Sequence, residues 1–467
     1  MKLRFLLSTA FLLSIGSVFG QEGKDNVPAA ALKFSLKEAQ GYAATNNLNV
    51  KNALLDLESA KKKIWETTAI GLPQVTANGN YQYIFKVPKM NFPGNRLTPD
   101  SIPGLSYGGM TLSNGDEVWL TRTFGDPIEL GVQSNFTWDV TVSQLIFSGE
   151  YIVGLQASRV FKELSEKAVT KSGFDTRETV SKAYYLVLVS EENLGILNKS
   201  RTLLEKTLQD VTAMNQQGFL EETDVDQVRI NKLNIDNLIN SVTEQTEIAY
   251  RLLKFQMGID VDQKITLTDS LAGLITQGNL KLWSTGEFEI NDNIDYQLMK
   301  TQESLSLLSL RREKSKFLPS VNAIYKHQEQ LRSASFSFFM PDIIAVGISF
   351  PLFSSGMRIA KVKEAELAYQ KSTNSRILAE QALYIDYQQS VSSYNKALND
   401  YLSLKESIDL TDRVYNKTLI KYTQGMASSL ELTQAQSQFL NSEGNYFSSI
   451  LNLFTAQAKL EKLLATE

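Results

Sequence analysis

The chain has 467 residues, 43% hydrophobic and 21% charged, with a formal net charge of −4. That balance suits a folded chain and lacks the basic footprint of a nucleic-acid binder. With no cysteine and a single histidine, His327, the sequence excludes disulfides, thiol catalysis and cysteine zinc sites, and a histidine metal site or hydrolase triad would hang on one residue. There is no Walker loop and no dinucleotide fingerprint, so neither an enzyme nor a cofactor is expected.

Lys2 and Arg4 precede an apolar run, Phe5 to Ile15, and Val18-Phe19-Gly20 precedes Gln21. This reads as a signal peptide over 1–20; its removal takes the net charge from −4 to −6. No later apolar run is long enough for a membrane helix, so any insertion must use strands, which need only an alternating pattern. A helix is expected over about 38–70, ended by Pro73. The next strand, near 74–85, sets Val75, Ala77, Tyr81 and Tyr83 against Thr76, Asn78, Asn80 and Gln82. Residues 86–134 hold Pro88, Pro93, Pro99, Pro103 and Pro127 and read as a loop. A return strand near 135–147 sets Phe136, Trp138, Val140 and Val142 against Thr137, Asp139, Thr141 and Ser143. From Gly149 to Gly218 no proline occurs; a continuous helix of that span reaches about 100 Å and needs partners along its length. Leu194, Leu197, Leu204, Leu208 and Val211 recur at coiled-coil intervals. A returning helix is expected over 221–256, then a connector over 258–292.

The plan then repeats. Asn47 to the Leu72-Pro73 corner matches Asn293 to Leu318-Pro319 at an offset of 246 residues, from 47 to 293 and from 73 to 319. Phe147-Ser148-Gly149 matches Ser354-Ser355-Gly356, and Gly218 matches Gly425, both at an offset of 207. A helix over 293–316, strands near 320–331 and 343–353, a second proline-free span and a helix over 427–464 complete it. The offset changes between the two corners, which places an insertion in the first copy. The chain thus divides into a first repeat over 21–257, the connector over 258–292 and a second repeat over 293–467. His327 falls in a strand and reads as a wall residue.

Four strands cannot close a barrel, because the smallest transmembrane barrels have about eight and an open edge in lipid leaves backbone groups unpaired. Strands that enter a membrane must therefore be shared among several chains, with aromatic and branched residues toward lipid and Thr, Asn, Gln and Asp toward a wet lumen. A soluble periplasmic coiled-coil scaffold or adaptor, its hairpins packed on a core, is the alternative.

The duplicated helix, Leu-Pro corner and strand units, the Leu352-Phe353-Ser354-Ser355-Gly356 segment and the tip Tyr422-Thr423-Gln424-Gly425-Met426-Ala427, followed by Glu431 and Gln436, resemble the TolC family of outer-membrane efflux proteins. The resemblance covers about 32–464. It implies a mainly α chain with a small β part: two tandem repeats, long coiled-coil hairpins and four membrane strands. It further implies a homotrimer in the outer membrane of a Gram-negative bacterium, with a large periplasmic tunnel. Such a duct conducts passively for a tripartite efflux or type I secretion system, with a periplasmic membrane-fusion adaptor and an inner-membrane pump of the RND or ABC type as partners. Carried onto this sequence, the periplasmic gate falls on Asp224, Tyr422, Glu431 and Gln434. The family pattern has an arginine where this chain has Ala427 and an acid where it has Gln434, which leaves a Tyr422–Asp224 hydrogen bond as the expected link. The adaptor-binding tips fall on Gly218, Phe219, Leu220, Gly425, Met426 and Ala427.

Overall fold

In the computed structural model, residues 32–90, 93–99, 109–111, 117–124, 128–129, 131–277, 282–283, 288–332 and 339–465 are described. The expected signal peptide lies outside them. A strand, β1 (Leu32–Phe34), leads to α1 (Leu36–Asn46), which starts on a capping box between Ser35 and Glu38. The single helix expected over 38–70 is broken at Asn47. Its backbone leaves the helical region, and its side-chain oxygen accepts from the amides of Asn49 (2.7 Å) and Val50 (3.4 Å), starting α2 (Leu48–Ile70).

The same device serves the second repeat. Asn293 accepts from the amides of Asp295 (3.0 Å) and Tyr296 (3.3 Å) and caps α6 (Ile294–Ser315). Both asparagines are buried, and each donates its side-chain N–H to the end of its repeat's last helix. Asn47 reaches the Gln256 carbonyl at 2.6 Å and Asn293 the Leu463 carbonyl at 3.2 Å. One side chain thus starts one helix and ends another, leaving no buried amide unpaired.

Two long hairpins form the body. In the first, α3 (Gly149–Gln216, 68 residues) turns into α4 (Glu222–Met257); in the second, α7 (Met357–Thr423, 67 residues) turns into α8 (Ser429–Leu464). The three helix boundaries at and beyond the tips keep the 207-residue offset (216 to 423, 222 to 429, 257 to 464). The long helices exceed their partners, and the excess packs on the shorter ones: α3 against α2 and α6, and α6 against α7. Helix α8 also lies along α3, fastened by Lys462 between Asp175 (2.5 Å) and Glu178 (2.9 Å) and by the Tyr185–Phe454 stack.

Buried apolar residues fall into two clusters. One, around Phe34, Tyr184, Leu253, Met257, Tyr387 and Leu453, lies where β1 pairs in parallel with β9 (Ile265–Leu267). There the Tyr184 hydroxyl bonds to the Phe34 carbonyl (3.0 Å) and to Asp269 (2.9 Å), and the same carboxylate accepts from the Leu36 amide (2.7 Å). The other cluster, around Leu197, Leu204, Ile235, Tyr415, Tyr422 and Leu432, runs toward the hairpin tips. Between β9 and α6 the chain forms a short helix, α5 (Leu271–Gln277). No helix among the described residues is long and apolar enough to cross a membrane.

Four strands, β2 (Gln74–Tyr83), β8 (Ser134–Ser148), β10 (Ser320–Gln330) and β11 (Asp342–Ser349), form one antiparallel sheet in the order β11-β10-β8-β2. Residues 86–134, read above as a loop, instead contain strands among the described residues. β3 (Lys89–Met90) pairs with β7 (Ile128–Glu129). β4 (Pro93–Pro99) pairs with β6 (Glu117–Phe124), which also pairs with β5 (Gly109–Thr111). The register runs on almost unchanged, from Gln74 opposite Ser143 through Lys89 opposite Glu129 to Pro99 opposite Leu120. The insertion therefore prolongs the β2–β8 hairpin as a ribbon. Its prolines misled because Pro93 and Pro99 sit at the two ends of β4, an edge strand, where a missing N–H costs little.

Candidate functional site

The four-stranded sheet has no core of its own. Every residue of β2 is exposed, Ile344 and Ile348 on β11 are 80% and 72% exposed, and no residue of the four strands is buried. Its faces are nevertheless sorted. One rung runs Val75, Val142, Tyr325, Ile344; others add Trp138, Tyr81 with Phe136, and Val321 with Ile348. The opposite face carries Thr76, Thr141 and Lys326 on one rung, Asn78, Asp139 and Gln328 on the next, then Asn80 and Thr137. On that polar face Asp139 accepts from Asn78 (3.2 Å) and Thr141 (3.0 Å) and lies 3.6 Å from Lys326.

Polar residues interrupt the apolar face at one end. His327 and Tyr325 both reach the Asp342 carboxylate, at 2.9 and 2.8 Å, and the Trp138 ring packs edge-on to the imidazole. His327 is thus a strand residue whose Nδ1 is paired with a neighbouring strand's carboxylate. The chain enters and leaves this sheet through tight corners. Gly71 precedes Leu72-Pro73, and a Cβ there would stand 2.4 Å from the Tyr151 hydroxyl, so a side chain at 71 would displace the ring that anchors α3.

At the far end, the tips share one geometry. Gly218 (φ +80°) and Gly425 (φ +73°) end α3 and α7 in the left-handed conformation. The next amides, of Phe219 and Met426, donate back to the carbonyls of Met214 (2.9 Å) and Lys421 (2.8 Å). Phe219 is 72% exposed, and Met426 and Leu430 are nearly as open, whereas Leu220 and Ala427 turn inward onto the tip core. Leu430 was missed in the sequence, because its exposure follows from the cap that starts α8.

Of the expected gate residues, the fold brings Tyr422 and Asp224 together. The buried Tyr422 hydroxyl donates to the main-chain carbonyl of Asp224 at 3.5 Å, rather than to its carboxylate. Burial, with the Asp224 charge adding to it, pushes the Tyr422 phenol up to about 12. Glu431 instead serves a capping box. Its carboxylate accepts from the Ser428 amide (2.8 Å) and hydroxyl (3.2 Å), and the amide bond above all holds its carboxyl below the usual range. Gln434 is exposed one turn further on.

The chain's relatives agree with this architecture. Residues 304–466 match the family model "Outer membrane efflux protein". No curated protein sequence matches the chain significantly. Among solved structures, the CmeC outer membrane channel of Campylobacter jejuni aligns at 15% identity and TM-score 0.67, covering 92% of this chain and 85% of that one. The outer membrane protein VceC of Vibrio cholerae aligns at 13% identity and TM-score 0.67, covering 92% and 96%. The MtrE outer membrane channel of Neisseria gonorrhoeae, solved in an open state, aligns at 15% identity and TM-score 0.69, covering 92% and 88%. The efflux-protein model thus matches within the second repeat, and the chain shares the fold of these outer membrane channels over more than nine-tenths of its length.

Proposed function

We propose that three copies of this chain close one twelve-stranded barrel in the outer membrane and one helical tunnel beneath it, forming the passive exit duct of a tripartite efflux or secretion system. The observation that carries this reading is the bare, two-faced sheet. In water its apolar rungs would be an aggregation surface; in lipid its open edges, β2 and β11, would each leave a row of backbone groups unpaired at several kcal/mol apiece. Pairing β2 of one copy with β11 of the next removes both costs. The two edge strands run in opposite directions, so the closure is antiparallel like the rest of the sheet.

The apolar rungs then face lipid, and Asp139, Lys326, Asn78 and Thr141 line the lumen. The ribbon over 86–134 extends from the extracellular rim. The three regions serve this purpose: a repeat over 21–257, a connector over 258–292 and a repeat over 293–467. At the periplasmic end, exposed Phe219, Met426 and Leu430 form apolar knobs for a membrane-fusion adaptor, and Tyr422 with Asp224 holds the two hairpins closed. Energy comes from an inner-membrane pump, and no residue of the chain is given a catalytic role. A soluble scaffold would bury its hairpins against its helices, which this sheet does not do.

Fractionation of cells followed by sizing and planar-bilayer recording tests the reading. The chain is expected in the outer-membrane fraction as a heat-modifiable trimer that conducts ions. A monomer released without detergent would end the proposal.

A further inference from the structure

The two hairpins treat one acidic position differently. At the 207-residue offset, Asp236 of α4 corresponds to Glu443 of α8, Arg201 to Ile408 and Lys232 to Phe439. In the first hairpin the acid is matched: Asp236 lies 2.8 Å from Arg201 and 2.7 Å from Lys232. In the second both cations are replaced by apolar side chains. Glu443 is 2% exposed, and neither carboxylate oxygen has a hydrogen-bond partner. One heptad nearer the tip, the Gln436 side-chain oxygen is also buried and unpartnered.

Glu443 lies about four turns into α8, where that helix meets three others. Nearest Glu443, the Asn231–Thr433 bond sets α4 against α8 and the Tyr415–Phe439 and Tyr401–Tyr446 stacks set α7; about three and five turns further on, the Tyr185–Phe454 stack and the Lys462–Glu178 pair set α3 against the same helix. The turns level with Glu443 carry Glu192 and Lys199 on α3, Asp236 and Glu244 on α4, and Lys405, Glu406, Asp409 and Asp412 on α7. All of these are exposed except Asp236, half-buried beside Arg201 and Lys232. The neighbouring titratable group on α8 itself is Tyr446. Burial pushes the Glu443 carboxyl up to about 7.

We propose that Glu443 is a proton-operated lock between the hairpins: protonated, it lets α8 pack against α3, α4 and α7, and ionised, it loosens that packing and favours opening of the tunnel's tip. The second half of this statement rests on the channel reading; the first does not. An ionised carboxylate without a partner in an apolar site is costly, whereas the neutral acid is tolerated. The opened form, with the carboxyl in water, holds fewer protons than the closed form between its ordinary range and about 7. Opening therefore becomes easier as pH rises through that window and levels off above it.

Amide hydrogen exchange of α8 in the purified full-length protein, corrected for the intrinsic rate, reads the lock directly. Between pH 6 and pH 8 the amides around Glu443 should exchange faster by about tenfold, the ratio that linkage gives for a carboxyl moved from its ordinary range to about 7. Glu443→Gln should keep the slow, pH 6 rate throughout. Ile408→Arg, which places a guanidinium where Arg201 stands in the first hairpin, should also abolish the rise across this interval. In planar bilayers the wild type should open more often at pH 8 than at pH 6, and Glu443→Gln should not. A flat wild-type exchange profile, or a rise that survives in both variants, would overturn the lock. An exchange response without any conductance would keep the lock and remove the channel reading.

Discussion

Asn47 and Asn293 show how much one side chain can settle. Each satisfies helix-start amides with its oxygen and a helix-end carbonyl with its N–H, both in buried surroundings. Asn47→Ala or Asn293→Ala loses the cap and strands a carbonyl, so each should destabilise its repeat by about 2–3 kcal/mol. Thermal unfolding in detergent followed by circular dichroism should show the transition at lower temperature for each variant, while a surface control such as Lys396→Ala should leave it in place. At the tip, the Tyr422 hydroxyl and the Asp224 backbone make one long bond across the hairpins. Asp224→Ala with Tyr422→Phe should raise single-channel conductance; unchanged conductance would remove these two residues from the gate. The sequence pointed to this pair but not to its geometry, since residue types say nothing about which oxygen of Asp224 accepts. Nor did it single out Glu443, whose isolation arises from the packing of the folded hairpins and leaves no mark on its own residue type.

Among the elements, the long helices were the most legible. Glycines at the tips and prolines at the corners punctuate the chain, and nothing between them breaks a helix. The break at Asn47 was hidden because asparagine is tolerated within a helix and becomes a stop only when a second helix end arrives to use its N–H. The ribbon over 86–134 was hidden by its prolines and glycines, which composition assigns to loops and register assigns to a strand's edge. Sheet faces were clear in β2 and β8 but blurred in β10 and β11, where His327 and Asp342 interrupt the apolar rungs and Ile324 and Ile343 the polar ones. The Asp139–Lys326 pair joins residues far apart in sequence and needed the register to be seen. If this face lines the pore, Lys326→Gln leaves three uncompensated acids around the lumen. At low salt the reversal potential should shift toward cation selectivity, with the permeability ratio rising about twofold and the effect fading as salt is raised. A variant with unchanged selectivity at every salt concentration would place these side chains away from the conducting path.

For the molecule as a whole, the long helices and the bare sheet pose the same problem at two ends: each exposes more apolar surface than a single chain can cover. Ile359, Leu367, Leu378 and Ile385 remain exposed along α7, just as Val75, Ile344 and Ile348 do on the sheet. In the proposed trimer, further copies of the chain cover both. The absence of native cysteine makes the proposed barrel seam directly testable. Cysteines placed together at Val75 and at Ile344, Val346 or Ile348 in turn put one thiol on each edge strand. Within one chain these strands are separated by two others, roughly 14 Å at the spacing of neighbouring strands, too far for a disulfide. Oxidation of outer membranes should therefore give covalent dimers and trimers, for at least one pairing, that collapse to monomer on reduction; monomer alone for every pairing would contradict a barrel shared between chains.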